Sequence, residues 1–405
     1  MIERKEYLQQ LNDWKEKDII KVITGIRRCG KSTLLQLFMQ KLLDSGVEDS
    51  QIISINFEDM EYEALLDYRK LYTYIKKKSI ENKTMYLFLD EVQNVPFYEK
   101  VVDSLFVKAN YDIYITGSNS YIFSGQLATN LRGRYIEIAM LPLSFKEYYS
   151  LYGGDQVKLF QQYMSYGGFP YIHQLDMKED QIHMYMEGIY NTVLLKDIEE
   201  RLNRKQLDSS IAKTTDVALL KSLSKYLSSV IGSPISIKGI TNYYKSNERK
   251  ISPNTISSYL QALCEAYLFY PVEAMDIVGK ELLQSNKKYY IVDTGIRNLI
   301  LPRTEYDLGF TIENIVYFEL LRRGYIVNIG RFKTKEVDFI AKKQNEYTYY
   351  QVSATISDKE TFDREIHSFL RIEDNYEKII LTLDTLAIGN YNGIKVVNVI
   401  DWLLE

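Results

Sequence analysis

The chain has 405 residues, with 50 Lys and Arg against 54 Asp and Glu, which gives a formal net charge of −4. This length exceeds what one compact core supports, so we expect two or three domains. The acidic balance excludes a global basic field for nucleic acid, and any such binding must be local. Two widely separated cysteines, Cys29 and Cys264, argue against a disulfide scaffold. We expect a cytoplasmic protein without a membrane partner, because no apolar run approaches the length that spans a bilayer.

The first predicted elements surround a glycine-rich loop. Residues 19–24 form the apolar run of a short buried strand, and residues 33–43 place apolar side chains at helical spacing. Between them, GIRRCGKS fits G-x-x-x-x-G-K-[ST], a loop whose backbone N–H groups cradle phosphates at a helix N-terminus. The pattern predicts a phosphate-binding site made of nine residues, namely Gly25, Ile26, Arg27, Arg28, Cys29, Gly30, Lys31, Ser32 and Thr33.

An apolar strand at residues 85–90 ends in two acids, Asp90 and Glu91. Paired with the glycine-rich loop, it looks like a Walker B strand. Lys31 is then expected to reach the β- and γ-phosphates of ATP, while Ser32 and Asp90 hold Mg²⁺. Glu91 is expected to polarise the attacking water as general base. Taken alone, the same pattern fits a buried strand that ends in an acidic turn.

Strand and helix signals alternate from residue 1 to residue 150, as in a doubly wound parallel sheet. Further strands are predicted at 51–57, 111–117 and 135–141. The strand at 111–117 suits an ATPase whose extra strand lies between the Walker A and Walker B strands. Its polar end makes Thr116 and Asn119 the candidates for sensing the γ-phosphate. Simple capping of the strand end is the alternative.

Two arginines, Arg132 and Arg134, precede the last predicted strand of this region. An arginine in that position can neutralise charge that develops on the γ-phosphoryl group, either in cis or across a subunit boundary. Arg134 is the first candidate and Arg132 the second. A solvated pair beside a glycine turn is the alternative, and a trans arrangement would require a homo-oligomer.

The order of the motifs resembles a known family. GIRRCGKS, LFLDEVQNVP, ITGSNS, LRGRY, PLSFKEYY and YGGFP follow one another as in the prokaryotic AAA-type ATPases of the archaeal-ATPase-like group. The resemblance continues through YIVDTG at 290–295 and EVD at 336–338. It implies ATP binding, a C-terminal winged helix and a restriction-endonuclease-like domain of unknown function.

The fold class expected from these signals is α/β, with an AAA-type P-loop NTPase core that carries the additional strand. A helical lid, a winged helix and a degenerate restriction-endonuclease-like domain follow this core. The predicted boundaries are 1–150 for the core, 151–230 for the lid, 231–290 for the winged helix-turn-helix and 291–405 for the endonuclease-like domain.

The predicted winged helix has a first helix at 235–244 and a second helix that Ser252 caps and Pro253 opens. One face of the second helix is apolar. The opposite face and the preceding turn are expected to offer polar and basic groups, namely Asn254, Thr255, Ser258, Tyr259, Lys245, Arg249 and Lys250. Such groups suit a DNA major groove. They fit a contact with a protein partner, or a spacer role, equally well.

The last part of the chain resembles a restriction endonuclease in its predicted layout, with helices at 311–323 and 359–371 and strands at 336–341, 347–353, 377–383 and 394–399. The metal site of that fold uses an acid of the first helix, here Glu313, together with Asp338 and an E-x-K motif. That motif reads Gln351-Val352-Ser353, so the third carboxylate and the lysine are missing. We expect a non-cutting domain whose Glu313 and Asp338 pair with nearby basic groups such as Arg331 or Lys335.

Three functions remain open at this point. The first is an ATPase that couples its nucleotide state to a DNA- or protein-binding C-terminal module, with hydrolysis that responds to DNA. The second is a slow ATP/ADP switch of a signalling or defence system that recruits a protein without binding DNA. The third is an ATP-controlled nuclease, which the departure from E-x-K disfavours.

Overall fold

A computed structural model describes residues 2–108, 110–118, 133–175, 178–193, 198, 216–283, 286–301, 308–332, 335–370 and 372–405. The chain divides into two compact units, which are Met1–Leu141 with Glu265–Tyr267, and Pro142–Cys264 with Leu268–Glu405. Across the described ranges, no helix is both long and apolar enough to cross a membrane. The finer division into four parts stays a prediction.

A five-stranded parallel sheet forms the centre of the first unit. Its strands are β1 (Ile20–Thr24), β2 (Ile52–Asn56), β3 (Met85–Asp90), β4 (Tyr111–Gly117) and β5 (Tyr135–Ala139). Their order across the sheet is β2-β3-β4-β1-β5. The predicted parallel sheet is therefore confirmed, with β4 inserted between β1 and β3. Because parallel strands end at one edge, the loops that follow β1, β3 and β4 meet there.

The described residues of this unit form four helices, α1 (Lys5–Asp13), α2 (Lys31–Asp44), α3 (Tyr68–Lys78) and α4 (Tyr98–Phe106). Leu71 and Ile75 of α3 and Leu105 of α4 are buried in one core cluster with side chains of the strands. Alternate strand residues point to the other face, where the ring of Phe38 from α2 contacts the rings of Phe88 and Tyr114.

A buried ion pair links β1 to β4. The ammonium group of Lys21 on β1 contacts the carboxylate of Asp112 on β4, and both side chains are almost fully buried. The hydroxyl of Tyr114 donates to Asp112 Oδ2 at 2.7 Å, and the backbone N–H of Glu16 donates to the same oxygen at 2.9 Å. Burial lowers the pKa of Lys21, and the charge of Asp112 opposes that effect. Since either charge alone would be costly in this core, the pair favours β1 and β4 as neighbours.

The second unit contains a seven-stranded mixed sheet and a two-stranded sheet. The strands are β6 (Phe269–Val272), β7 (Ala274–Asp276), β8 (Lys288–Ile291), β9 (Ile326–Phe332), β10 (Lys335–Lys343), β11 (Glu346–Ser353), β12 (Glu377–Thr382), β13 (Gly389–Tyr391) and β14 (Ile394–Asn398). The large sheet has the order β13-β14-β12-β11-β10-β9-β7, and β6 pairs with β8. Strands β9, β10 and β11 are antiparallel neighbours, whereas β12 runs parallel to β11 and β14.

The described helices of the second unit lie before, between and after these strands. They are α5 (Phe145–Tyr152), α6 (Gln156–Tyr166), α7 (Glu179–Thr192), α8 (Val217–Ser229), α9 (Ile237–Ser246), α10 (Pro253–Glu265), α11 (Thr294–Ile300), α12 (Leu308–Arg322), α13 (Lys359–Phe369) and α14 (Val399–Leu404). The predicted cap of α10 is present, since Ser252 Oγ accepts the N–H of Thr255 at 3.1 Å.

Tyr259 of α10 is not on the exposed face where the sequence placed it. Its side chain is 6% exposed, and its hydroxyl accepts the backbone N–H of Asp216 at 2.8 Å. Asp216 caps the start of α8. The helical spacing identified the apolar face of α10 correctly, but the contact with α8 also buries this flanking ring.

Asp293 joins two glycine-containing turns of the second unit. Its Oδ1 accepts the N–H of Gly295 at 2.8 Å, and its Oδ2 accepts the N–H of Gly168 at 2.7 Å. Gly167 has φ +79°, and a Cβ there would lie 2.0 Å from Asp293 Oδ1. Burial raises the pKa of Asp293 to about 6, against the opposing effects of its N–H donors and of Arg322.

This raised pKa predicts a pH-dependent contribution of Asp293 to stability. As the pH rises, the unfolded chain loses the Asp293 proton first, so stability present at low pH is lost through pH 6. Relative to a non-titrating Asp293→Asn variant, the wild type should lose about 2 kcal/mol of unfolding free energy between pH 4 and pH 7. Urea unfolding of both proteins across this pH range measures the difference. If the wild type instead gained stability relative to Asp293→Asn as the pH rises, the pKa of Asp293 would be lowered rather than raised. Its N–H donors would then outweigh the effect of burial.

Candidate nucleotide-binding site

The glycine-rich loop lies between the end of β1 and the start of α2, as predicted. Gly25 has φ +141°, and a Cβ at this position would come within 2.1 Å of the Met140 carbonyl oxygen. Arg28 and Gly30 also have positive φ, of 67° and 105°. The backbone therefore curls tightly before the first turn of α2, and only glycine fits where it passes Met140.

Lys31 points back into this loop. Its side chain is almost fully buried, and its ammonium group donates to the Gly25 carbonyl at 3.0 Å and the Ile26 carbonyl at 3.3 Å. It also lies 3.9 Å from Glu91 Oε1. The lysine of the motif and the second acid after β3 are thus brought together by the fold.

Asp90, Glu91 and Thr116 form one hydrogen-bonded cluster at the carboxyl ends of β3 and β4. Thr116 Oγ1 donates to Asp90 Oδ1 at 2.5 Å and accepts the Glu91 N–H at 2.9 Å. Burial raises the pKa of Asp90, while hydrogen bonds from Thr116 and Ser32 oppose this rise. Ser32 and Asp90, the two residues predicted to hold a metal ion, are therefore adjacent.

The loop after β3 contributes Gln93, which the sequence analysis did not single out. Its amide nitrogen donates to Glu91 Oε2 at 2.5 Å and to Ser118 Oγ at 3.3 Å. Its buried Oε1 has no hydrogen-bond partner among the described residues. The only available signal was a polar side chain two positions after Glu91. This amide holds the Glu91 carboxylate in place and offers a free acceptor beside it.

Arg4 anchors the glycine-rich loop from behind. It is 3% exposed, and its guanidinium donates to the carbonyls of Cys29 at 3.3 Å and Leu141 at 3.0 Å. The ring of Tyr7 lies 4.8 Å from the guanidinium, and its hydroxyl accepts the N–H of Leu141 at 3.1 Å. A charged N-terminal run gives no sequence signal for such a buried contact.

Arg134 does not join this site within its own chain. Its carbonyl accepts the N–H of Ile20 at the start of β1, whereas the glycine-rich loop follows the end of that strand. At about 3.3 Å per residue, the strand separates the two positions by roughly 16 Å. Its guanidinium pairs instead with Asp103 at 3.0 Å. A role in cis is therefore wrong, while Arg132 and Asn119 lie outside the described residues.

A lysine that no sequence motif indicated lies beside Glu313 of the predicted nuclease site. Lys288 of β8 is 3% exposed, and its Nζ lies 3.2 Å from Glu313 Oε1 and 2.6 Å from Glu336 Oε1. Tyr290 donates to Glu313 Oε1 at 2.6 Å. Burial alone would lower the pKa of Lys288, but the neighbouring carboxylates raise it.

Glu313 does pair with a basic group, but that group is Lys288 of β8 and not Arg331 or Lys335, the two examples named from the sequence. Arg331 lies 3.8 Å from Glu336 instead. Asp338 accepts the N–H of Val352 at 2.8 Å, and its own N–H donates to Gln351 Oε1 at 3.3 Å. Burial, followed by the charge of Glu313, raises the pKa of Asp338.

The two hydrogen bonds of the Thr116 hydroxyl, to Asp90 and from the Glu91 N–H, predict a stability change that does not depend on any ligand. Thr116→Val keeps the side-chain shape but removes the hydroxyl that Asp90 and the Glu91 N–H both use. Leaving these buried groups without that partner should lower the free energy of unfolding by about 1–3 kcal/mol. Urea unfolding measures the loss, with Thr73→Val as the matched control, since Thr73 is exposed and bonds only within its own helix. Equal losses of unfolding free energy in Thr116→Val and Thr73→Val would contradict the role given to the Thr116 hydrogen bonds.

Comparison with known proteins identifies the two regions separately. The family model described as AAA domain matches residues 17–149. A second model, described as Domain of unknown function (DUF8612), matches residues 157–307. Among solved structures, the Walker-type ATPase PABY2304 of Pyrococcus abyssi is 15% identical, with 74% of this chain and 96% of that chain covered and a TM-score of 0.46.

Two relatives match over most of their length. An uncharacterized protein of Haemophilus influenzae is 39% identical over 411 residues, which cover 100% of this chain and 99% of the relative. An uncharacterized protein of Methanocaldococcus jannaschii is 31% identical over 84% of this chain and 77% of its own length. The chain therefore belongs to the family of these bacterial and archaeal proteins, and its first unit contains an AAA domain.

Proposed function

We propose that the first unit binds ATP with Mg²⁺ and hydrolyses it. The observation that supports this most is the single buried cluster of Lys31, Asp90, Glu91 and Thr116 beside the glycine-rich loop. Each group has the chemistry that phosphoryl transfer to water requires, and the four residues come from three separately predicted segments of the chain. The match of residues 17–149 to the AAA domain supports the same proposal.

Lys31 is the group that changes partners when nucleotide binds. Its ammonium now donates to two loop carbonyls, and phosphate oxygens provide stronger, charged acceptors. The curled loop at Gly25 and Gly30 and the start of α2 offer backbone N–H groups to the same phosphates.

Ser32 and Asp90 are the residues that would hold the Mg²⁺ ion. They supply hard oxygen ligands and already lie within hydrogen-bond contact. Bound Mg²⁺ neutralises phosphate charge during the transfer. Thr116 keeps the Asp90 carboxylate oriented, which fits its proposed position as the sensing residue.

Glu91 is the proposed general base. The Gln93 amide and the Thr116 hydroxyl fix its carboxylate and its backbone, respectively. The free Oε1 of Gln93 can accept a hydrogen bond from a water molecule next to that carboxylate. This arrangement supports activation of water rather than of another acceptor.

An arginine finger from Arg134 would have to come from a second copy of the chain. The side chain is 45% exposed at the amino end of the strands, where a neighbouring subunit can reach it. A homo-oligomer in which Arg134 acts in trans is therefore part of the proposal.

The second unit is the proposed output module. Helices α8, α9 and α10 are followed by the antiparallel pair of strands β6 and β8. Ile235 forms an antiparallel bridge with Lys287, which lies next to β8. This order supports a winged helix. Exposed Lys245, Arg249 and Lys250 in and after α9 favour DNA as the partner. A slow nucleotide switch that recruits a protein is the alternative function.

The order α12, β9, β10, β11, α13, β12 supports a restriction-endonuclease-like domain. The buried ammonium group of Lys288 already pairs with Glu313 and with the neighbouring Glu336. Gln351 and Ser353 supply neither a third carboxylate nor a catalytic lysine. A site of this composition supports binding without cleavage, so ATP hydrolysis is the proposed chemistry of the protein.

The central experiment compares ATP hydrolysis and nucleotide binding in two variants. Glu91→Gln should reduce steady-state hydrolysis by about 100-fold or more while ATP still binds, because only the base is lost. Lys31→Ala should abolish binding. Glu61→Gln, an exposed acid of the same unit, is the matched control and should behave like the wild type. Normal turnover in Glu91→Gln would remove the base assignment.

The same assay with duplex DNA separates the two proposed functions. Stimulation that fades with added salt supports the DNA-linked ATPase. Slow hydrolysis that does not respond to DNA, with tightly held nucleotide, supports the protein-recruiting switch.

The non-cutting assignment predicts that supercoiled plasmid stays intact with Mg²⁺ or Mn²⁺, with and without ATP. Asp338→Ala is the control for this plasmid assay. Metal-dependent nicking by the wild type that disappears in Asp338→Ala would contradict the assignment.

A further inference from the structure

Helix α3 carries an unusual local charge for an acidic protein. Its sequence, YRKLYTYIKKK, contains five basic and no acidic residues in 11 positions, whereas the whole chain has a net charge of −4. Leu71 and Ile75 are buried under the helix, and all five basic residues are exposed. Nearby α4 and the turn after it add exposed Lys100 and Lys108.

Asp67 attracts Arg69 and Lys70, and Asp49 attracts Lys78, without contact between the charged groups. Within the described part of the chain, none of the seven basic groups forms an ion pair with a carboxylate. Arg69 Nε donates to the hydroxyl of Tyr68 at 3.1 Å, and Lys108 Nζ donates to that of Tyr72 at 2.5 Å. Helix C-termini favour cations, which accounts for part of the cluster at 76–78. It does not account for Arg69, Lys70, Lys100 and Lys108.

Aromatic rings lie among the same cations. Lys100 Nζ is 4.6 Å from the ring of Phe97 and 5.6 Å from that of Tyr68, and Lys78 Nζ is 4.9 Å from the ring of Tyr74. Phe97 is 51% exposed and has a left-handed backbone with φ +63°. An exposed phenylalanine in this conformation costs conformational energy and adds little to the core. The ring centroid lies 5.9 Å from that of Tyr68, and the exposed part of the Phe97 ring is available for a ligand.

We propose that α3 and α4 form a binding surface for single-stranded nucleic acid on the AAA unit. The α3–α4 surface is defined here as the five basic residues of α3 together with Phe97, Lys100 and Lys108. Unpaired bases present ring faces that stack on aromatic side chains, while lysines and arginines contact the phosphates. This surface goes beyond the proposed function, which assigns nucleic acid only to the winged helix.

The other polyanionic partners fit less well. In a duplex the faces of the bases are stacked on one another, so they are not accessible to an exposed Phe97 ring. An acidic peptide satisfies the lysines but leaves the rings unused. A membrane surface needs a broad exposed apolar face, and the apolar face of α3 is buried against the sheet.

The α3–α4 surface extends between the two edges of the parallel sheet. Lys76, Lys77 and Lys78 lie at the end of α3, ahead of the start of β3, at the edge opposite the glycine-rich loop. Arg69 and Lys70 begin α3, and Phe97 precedes α4, so these residues lie toward the carboxyl edge, after β2 and β3. The lysine end of the surface is therefore the part most remote from the nucleotide site.

The test uses the full-length chain and a fluorescein-labelled oligothymidine, with binding followed by fluorescence anisotropy at several salt concentrations. Lys76→Gln/Lys77→Gln/Lys78→Gln removes three proposed phosphate contacts. Each contact contributes about 0.7 to the salt slope, so the slope should fall by about 2 and the affinity by about 100-fold at 0.1 M salt. Phe97→Ser should weaken binding without changing the slope.

The matched control is Lys245→Gln/Arg249→Gln/Lys250→Gln, which removes the same charge from α9 and the turn after it. This variant should keep oligothymidine binding, and it can lose only the binding proposed for the winged helix. The two proposals therefore fail separately. Thermal unfolding and DNA-independent ATP hydrolysis of the α3 variant should match the wild type, since its three lysines are exposed and outside the nucleotide site.

Several outcomes would overturn the α3–α4 surface. They are absence of oligothymidine binding, unchanged binding in the α3 variant, and loss of binding only in the α9 control. Equal competition by duplex DNA, by poly-glutamate or by vesicles of anionic phospholipid would also overturn it, because each would show that unpaired bases are not recognised.

Discussion

The position of β4 between β1 and β3 is the constraint on which the candidate site depends. Only this strand order brings Thr116 next to Asp90 and the Glu91 N–H, and it puts all three beside the loop that follows β1. The Lys21–Asp112 pair supports the same neighbourhood from inside the sheet. A different order would leave one of these buried charges without its partner, which costs far more than an ordinary packing defect.

The chain uses buried polar contacts to position its loops in both units. In the first, Arg4 ties the carbonyls of Cys29 and Leu141 together behind the phosphate-binding loop. In the second, Asp293 joins the turns at Gly168 and Gly295. Buried polar contacts stabilise the fold only when every donor and acceptor has a hydrogen-bond partner. They therefore favour the one loop arrangement in which these partners meet. Both units therefore position glycine-containing segments through buried polar side chains.

In the second unit, a lysine of the same chain lies among a group of acidic side chains. Lys288 places an ammonium group where Glu313 and Glu336 concentrate negative charge. A protein ammonium that is already paired removes much of the attraction for a divalent cation. The layout of a fold and the chemistry of a site are separable, because the layout depends on strand order and the chemistry on a few side chains.

The sequence by itself determined the parallel sheet, the phosphate-binding loop and the acids after β3, because these depend on local periodicity and on short motifs. It also indicated that the E-x-K motif is absent. Only the tertiary structure decided the roles of Arg4, Gln93 and Lys288, since each acts through a contact that local pattern does not encode. Only the tertiary structure likewise showed that Tyr259 is buried and that Arg134 lies away from the glycine-rich loop of its own chain. Burial of one ring and the distance along one strand are set by which elements become neighbours, and this is a property of the folded chain.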